Sequence, residues 1–216
     1  MDEERFALGT TRGELGAAWT DASGPVLVVG HGAGAGKDHP FLAGFSRGAA
    51  AEGIATLRFD FPYMAAGRRS PGPAAHAIDA TRVAFDEASR RAGGRPVFAG
   101  GKSYGGRMAS MAAAEGMAAA GLVFLGYPLH PPGKLDQVRA EHLYDLTIPM
   151  LFLQGAKDPF AESDVLDGVL RRLGDCATLV RFEGAGHSFE RSRKDDAAAV
   201  GASLAPHVAA FMREHP

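Results

Sequence analysis

Six short runs of this chain are almost unbroken in apolar character, and each stops at a glycine or a turn residue. They are Pro25–Val29, Ala55–Phe59, Pro96–Ala99, Leu122–Leu125, Pro149–Leu153 and Thr178–Phe182. A strand buried on one face alternates polar with apolar, whereas a strand buried on both faces reads as a continuous run. Segments with helical spacing lie between them: Phe41–Gly53, Ala75–Ala92, Tyr104–Ala120, Ser163–Leu173 and Asp195–His215. Alternating β and α predicts a doubly wound α/β fold with a mostly parallel sheet and right-handed crossovers. Arg5–Thr10 and Glu14–Thr20 read as an antiparallel pair joined by Thr11-Arg12-Gly13, which brings the sheet to about eight strands.

Composition narrows the class. The 216 residues suit one domain over residues 1–216. A formal net charge of −2 argues against a nucleic-acid partner. The single cysteine, Cys176, excludes an intrachain disulfide and any Cys-based zinc site. The opening Met1-Asp2-Glu3-Glu4-Arg5 is acidic and lacks an apolar core, so no secretory signal and a cytoplasmic location are expected. The stretch from Met108 to Leu129 is Ala-rich and interrupted by Glu115, Gly116 and Gly121, so no membrane span is expected.

In an open parallel sheet, ligands bind beyond the carboxyl ends of the strands. The residues that follow the predicted strands therefore carry the functional information. They include Gly30-His31-Gly32-Ala33-Gly34, Asp60-Phe61-Pro62-Tyr63, Gly101-Lys102-Ser103-Tyr104-Gly105, Gly126-Tyr127-Pro128, Gly155-Ala156-Lys157-Asp158 and Gly184-Ala185-Gly186-His187. One sheet edge thus collects a serine, an aspartate, a histidine and many glycines.

Gly101-Lys102-Ser103-Tyr104-Gly105 is a G-x-S-x-G motif between a predicted strand and a predicted helix. Such a turn holds its serine in a strained conformation with the hydroxyl raised above the sheet. Serine is a poor nucleophile until a base takes its proton, and a histidine base needs a carboxylate to orient it. Asp158 and His187 follow in the order Ser, acid, His, each after a strand. Plainer readings exist for each: Ser103 as a helix cap, Asp158 as a turn former before Pro159, and His187 as a loop histidine. Asp164 and Asp167 are other acids, but they lie inside a helical pattern. Oxyanion donors are expected from the backbone N–H groups of Tyr104 and Ala33. His31, Tyr63, Arg68, Tyr127 and His130 are candidate pocket residues; His31 can equally position its loop, and Arg68 or its neighbour Arg69 could hold an acidic substrate group.

Other chemistries fit poorly. Gly101-Lys102-Ser103 resembles the end of a phosphate loop, but Pro96 stands where that loop needs a glycine. The spacing G-x-G-x-x-G fails at Ala35, Lys37 and His39 in its three possible registers. No paired-histidine metal motif occurs, so neither metal nor cofactor is expected. The 22 residues or so between the sixth and seventh strands leave room for one short helix, such as Leu135–Asp145, and not for a cap domain.

Over nearly its whole length the chain resembles the α/β-hydrolase superfamily. It is most similar to a small lidless group of predicted hydrolases related to dienelactone hydrolases. The runs that carry this are Gly30–Ala35, Phe59–Met64, Gly101–Arg107, Gly126–Lys134 and Gln154–Phe160. Animal relatives of the group include a testis-expressed protein and a subunit of a histone-acetyltransferase complex. The resemblance implies an α/β-hydrolase fold without a cap domain. It does not give a substrate; the residues themselves read as a serine hydrolase (a serine esterase) acting on an ester or related acyl bond of a small substrate, and a monomer or homodimer is expected. A peptidase, a thioesterase or a non-catalytic scaffold are the alternatives. A dienelactone hydrolase proper has a cysteine nucleophile; Ser103 departs from that. A histidine base stops working once protonated, so any hydrolytic rate should fall on acidification below about pH 6. A rate profile that stays flat from about pH 5 to 8 would rule His187 out as the base.

Overall fold

A computed structural model describes residues 3–216. Met1 and Asp2, which begin the acidic opening and the expected 1–216 domain, lie outside the described residues. Eight strands form one sheet: β1 (Glu3–Thr10), β2 (Gly13–Thr20), β3 (Val26–Gly30), β4 (Ala55–Phe59), β5 (Val97–Lys102), β6 (Leu122–Leu125), β7 (Met150–Gly155) and β8 (Ala177–Phe182). Their order is β1-β2-β4-β3-β5-β6-β7-β8. β2 is antiparallel to both neighbours, and every other pairing is parallel. The helices are α1 (Pro40–Ala51), α2 (Pro62–Ala65), α3 (Ala74–Ala92), α4 (Tyr104–Ala114), α5 (Ser163–Leu173), α6 (Ala197–Ser203) and α7 (Ala205–Glu214).

The continuous apolar runs have the expected cause. Val26 and Val28 point into one cluster with Leu57, Phe124, Phe152 and Ala84 of α3. Leu27 and Val29 point into a second, with Phe45 of α1 and Phe211 of α7. Both faces of the central strands are therefore covered. On the first face, Trp19 is buried and lies under the Arg91 guanidinium, 5.4 Å from the ring centre.

Several helix boundaries differ from the sequence expectation. The helix starting at Tyr104 ends at Ala114 rather than Ala120, because Gly116 turns the backbone to φ +96°. The final helix is two, broken between Ser203 and Ala205, with a proline in the first turn of α7. Leu135–Asp145 is not a helix; it contains one 3-10 turn at Glu141–Leu143. Its Leu135 and Val138 are exposed, whereas Ala140 and Leu143 are buried, so the apolar residues of the segment do not share one face. No separate cap domain is present among the described residues. α2 was not expected; Pro62 starts it. No described helix is long and apolar enough to cross a membrane.

The sheet reverses its winding at β3, which has β4 on one side and β5 on the other. The crevice beyond the carboxyl ends of β3 and β5 is thus the expected ligand position. α1 and α6 pack backbone to backbone on the outer layer. A Cβ on Gly44 would collide with Ala198, and one on Gly201 with the Phe41 carbonyl. Gly44→Val should therefore cost about 3 kcal/mol of unfolding free energy by overpacking, measured as a lower urea midpoint at unchanged slope. An unchanged midpoint would mean that α6 can move away freely.

Candidate active site

Ser103 ends the β5-to-α4 turn with φ 50° and ψ −110°. Few non-glycine residues adopt such a conformation, and holding one costs about 1–3 kcal/mol. The surroundings enforce it. Gly101 pairs with Gly30 across β5 and β3, and Gly105 of α4 lies against the same Gly30. A Cβ at Gly101 or Gly105 would strike the Gly30 carbonyl oxygen. The Ser103 N–H donates to the Leu125 carbonyl at 3.2 Å, which ties the turn to β6.

The structure brings Ser103, Asp158 and His187 into one hydrogen-bonded chain. His187 Nε2 is 2.9 Å from Ser103 Oγ, and His187 Nδ1 is 2.6 Å from Asp158 Oδ2. A carboxylate only accepts, so Nδ1 carries the hydrogen and Nε2 turns its lone pair to the serine hydroxyl. Asp158 is 2% exposed and fully satisfied. Its Oδ1 accepts the Phe160 N–H at 2.8 Å, and Oδ2 also accepts from the side-chain amide of Gln154. Phe160 packs on the His187 ring with centroids 4.5 Å apart. Gln154 and Phe160 were missed in the sequence. The signal for Gln154 was there: a lone polar residue at the end of the apolar run Met150–Leu153.

Ala33 and Tyr104 both line the cleft of about 390 Å³ that opens over Ser103 and His187. Their N–H groups donate to no carbonyl among the described residues. His31 is fully buried and holds the Ala33 loop. Its Nε2 accepts the Phe61 N–H at 3.0 Å, so Nδ1 carries the hydrogen that reaches the Gly32 carbonyl at 2.8 Å. Burial pushes the His31 imidazole below its ordinary value, which favours this neutral form.

Of the five expected pocket residues, three lie in the core and two at another cavity. His31, Tyr127 and His130 are each 0% exposed and do not line the cleft. The Tyr127 hydroxyl donates to the Arg139 carbonyl at 3.0 Å, and burial pushes that hydroxyl up to about 12. His130 Nε2 accepts the Glu162 N–H at 3.0 Å, which pins the loop carrying Asp158 and Phe160. Tyr63 and Arg68 line a separate cavity of about 270 Å³ behind Tyr104. Lys102, Arg107 and Arg139 line the cleft instead. A second serine–histidine contact, Ser110 Oγ to His142 Nε2 at 2.8 Å, lies on the inner side of α4. Ser110 is fully buried, and no carboxylate bonds His142 among the described residues. Burial and then the Arg107 charge push His142 down to about 4.

The sequence profile of the family described as "Alpha/beta hydrolase domain" matches residues 23–213. Among solved structures, the chain is similar to an α/β serine hydrolase without lid from Xanthomonas campestris, at 19% identity and TM-score 0.76 over 99% of this chain and 94% of that one. It is similar to a dienelactone hydrolase from Anabaena variabilis, at 18% identity and TM-score 0.76 over 99% and 98% of the two chains. It is also similar to the esterase domain of a Rhodothermus marinus protein, at 19% identity and TM-score 0.70 over 97% and 99%. At these identities the likeness is one of fold.

Lys102 introduces a pH dependence of stability. Burial pushes its ammonium down to about 8, although the charges of Asp158 and Glu190 pull the other way. An unfolded lysine keeps its proton up to its ordinary value, 10.5. Between about 8 and 10.5 the unfolded chain holds more protons, so this group's contribution to stability rises with pH there. Lys102→Met should therefore stabilise the fold by about 3 kcal/mol at pH ~7. The gain should shrink as pH rises toward about 10. Urea titrations at the two pH values check this, and a gain independent of pH would refute the burial of a charged Lys102.

Proposed function

The chain belongs to the alpha/beta hydrolase domain family, and on that premise we propose that it is a serine hydrolase cleaving a carboxylic ester, or a related acyl bond, of a small substrate. The observation that carries this is the Ser103–His187–Asp158 hydrogen-bonded chain at a strained turn, open to a cleft. The solved neighbours named as serine hydrolase and esterase point the same way.

In the proposed reaction, Ser103 Oγ attacks the carbonyl carbon while His187 Nε2 takes its proton. Asp158 keeps His187 in the Nδ1–H form and balances the imidazolium charge. The Ala33 and Tyr104 N–H groups donate to the oxyanion. The tetrahedral intermediate collapses, and the alcohol leaves with the proton from His187. Water then attacks the acyl-Ser103, giving its proton to His187, and the carboxylic acid departs as Ser103 is restored. Within the family we place the chain in the small lidless dienelactone-hydrolase-like group. We expect a single cytoplasmic domain, monomer or homodimer, without cofactor.

An active-site fluorophosphonate should label the wild-type protein and the Ser110→Ala variant but not Ser103→Ala. Asp158→Asn should lower kcat toward nitrophenyl esters by about 10⁴-fold, through the wrong histidine tautomer. Absence of labelling in well-folded wild-type protein would overturn the proposal and favour a scaffold.

A further inference from the structure

We propose that the cavity of about 270 Å³ behind Tyr104 is a second ligand site, separate from the cleft over Ser103, and that it binds the phosphate of a small organic phosphomonoester. This site stands apart from the hydrolase function proposed above and does not depend on it.

Tyr63 lines this cavity and is only 6% exposed, yet its hydroxyl has no hydrogen-bond partner among the described residues. Burial pushes that hydroxyl up to about 12, so it keeps its proton at neutral pH. The nearby Gly34 N–H is itself a donor and offers that proton no acceptor. The ring is held in place by its neighbours. It stacks on Phe61 and meets Tyr104 edge-on, with centroids 6.3 Å apart in both pairs. A buried polar group left unpaired is costly, and a ligand that brings an acceptor removes the cost.

The charge around that hydroxyl is all of one sign. Helix α3 runs for 19 residues, and Pro73, His76 and Ala77 at its N-terminus wall the cavity. Pro73 gives the helix no side-chain cap, and its first turn carries no acidic residue. The positive end of the helix dipole, about half an elementary charge, is therefore uncompensated there. Arg12 and Arg68 line the cavity from two other elements, and no Asp or Glu lines it. Arg12 stands in the β1–β2 turn, its N–H bonded to the Thr10 hydroxyl at 3.1 Å. Arg68 follows α2, its N–H bonded to the Tyr63 carbonyl at 2.8 Å. A helix N-terminus, a phenol and two guanidiniums approach from different directions, which suits the several oxygens and double charge of a phosphate. Pro62, Ala66 and the Tyr104 ring supply an apolar wall for the rest of the ligand. The volume falls just below that of ordinary small-molecule pockets, so the organic part is small.

Calorimetry of the whole protein with phenyl phosphate and with inorganic phosphate tests this, at pH ~7.5 where the monoester is doubly charged. Phenyl phosphate should bind with a Kd of about 1 mM or lower, and inorganic phosphate about tenfold more weakly. Equal affinities would overturn the assignment to an organic ester. Tyr63→Phe, Arg12→Gln and Arg68→Gln should each raise the phenyl phosphate Kd about tenfold. Tyr63→Phe should also leave the urea midpoint of the free protein unchanged or higher, because the hydroxyl it removes is unpaired. A lowered midpoint would mean that the hydroxyl is paired within the chain, and overturns the site. So does absence of binding to the wild-type protein at about 10 mM, or binding that survives all three substitutions. Protein whose Ser103 is blocked by fluorophosphonate should bind phenyl phosphate as before; loss of binding there would put the phosphate in the cleft and overturn the second site. If fluorophosphonate labels nothing, the hydrolase function fails on its own account, and the three substitutions alone decide the phosphate site.

Discussion

Where β3, β5 and α4 meet, backbone lies directly on backbone, and the rest of the site depends on that contact. Gly30, Gly101 and Gly105 leave no room for a single Cβ between the two strands and the helix. The pairing of Gly30 with Gly101 puts the loop after β3 beside the turn after β5. That one adjacency places Ala33, Ser103 and Tyr104 around the same space. The left-handed conformation of Ser103 persists because sheet pairing on one side and helix packing on the other leave it no alternative.

A second layer is made of buried polar residues that hold loops rather than contact ligands. His31 ties the β3–α1 loop, at the Gly32 carbonyl, to the Phe61 N–H after β4, and His130 ties the β6–β7 connection, at the Pro131 carbonyl, to the Glu162 N–H in the segment that carries Asp158 and Phe160. Gln154 accepts from the Tyr127 N–H at 2.9 Å and donates to Asp158. Each satisfies its own polar atoms as it fixes a loop, which is how burial of such groups becomes tolerable. Among the described residues no separate cap domain is present, and these bonds tie the loops of the sheet edge to one another.

Charge is distributed unevenly around this scaffold. On the outer surface, Arg82 meets Glu115 and Arg90 meets Glu87 in ion pairs that contribute little individually. The cleft lining holds Phe41, Leu42 and Phe160 together with Lys102, Arg107 and Arg139, and no Asp or Glu.

Much of the fold was legible in the sequence because burial on both faces leaves a strand nothing polar to show. The order of Ser103, Asp158 and His187, each beyond a strand, was readable for a similar reason: a turn after a buried strand is marked by glycine and by sudden polarity. Helix ends were less legible. One glycine after Ala114 and one proline in α7 overrode an otherwise continuous helical composition. What tertiary structure alone decided is which polar residues of the edge loops face the cleft. Tyr127 and Arg139 lie in the same connection, yet the tyrosine is sealed in the core and the arginine lines the cleft. A residue in a loop has no periodicity to reveal its direction. Only the packing of neighbouring strands and helices determines whether its polar atoms meet backbone or open space.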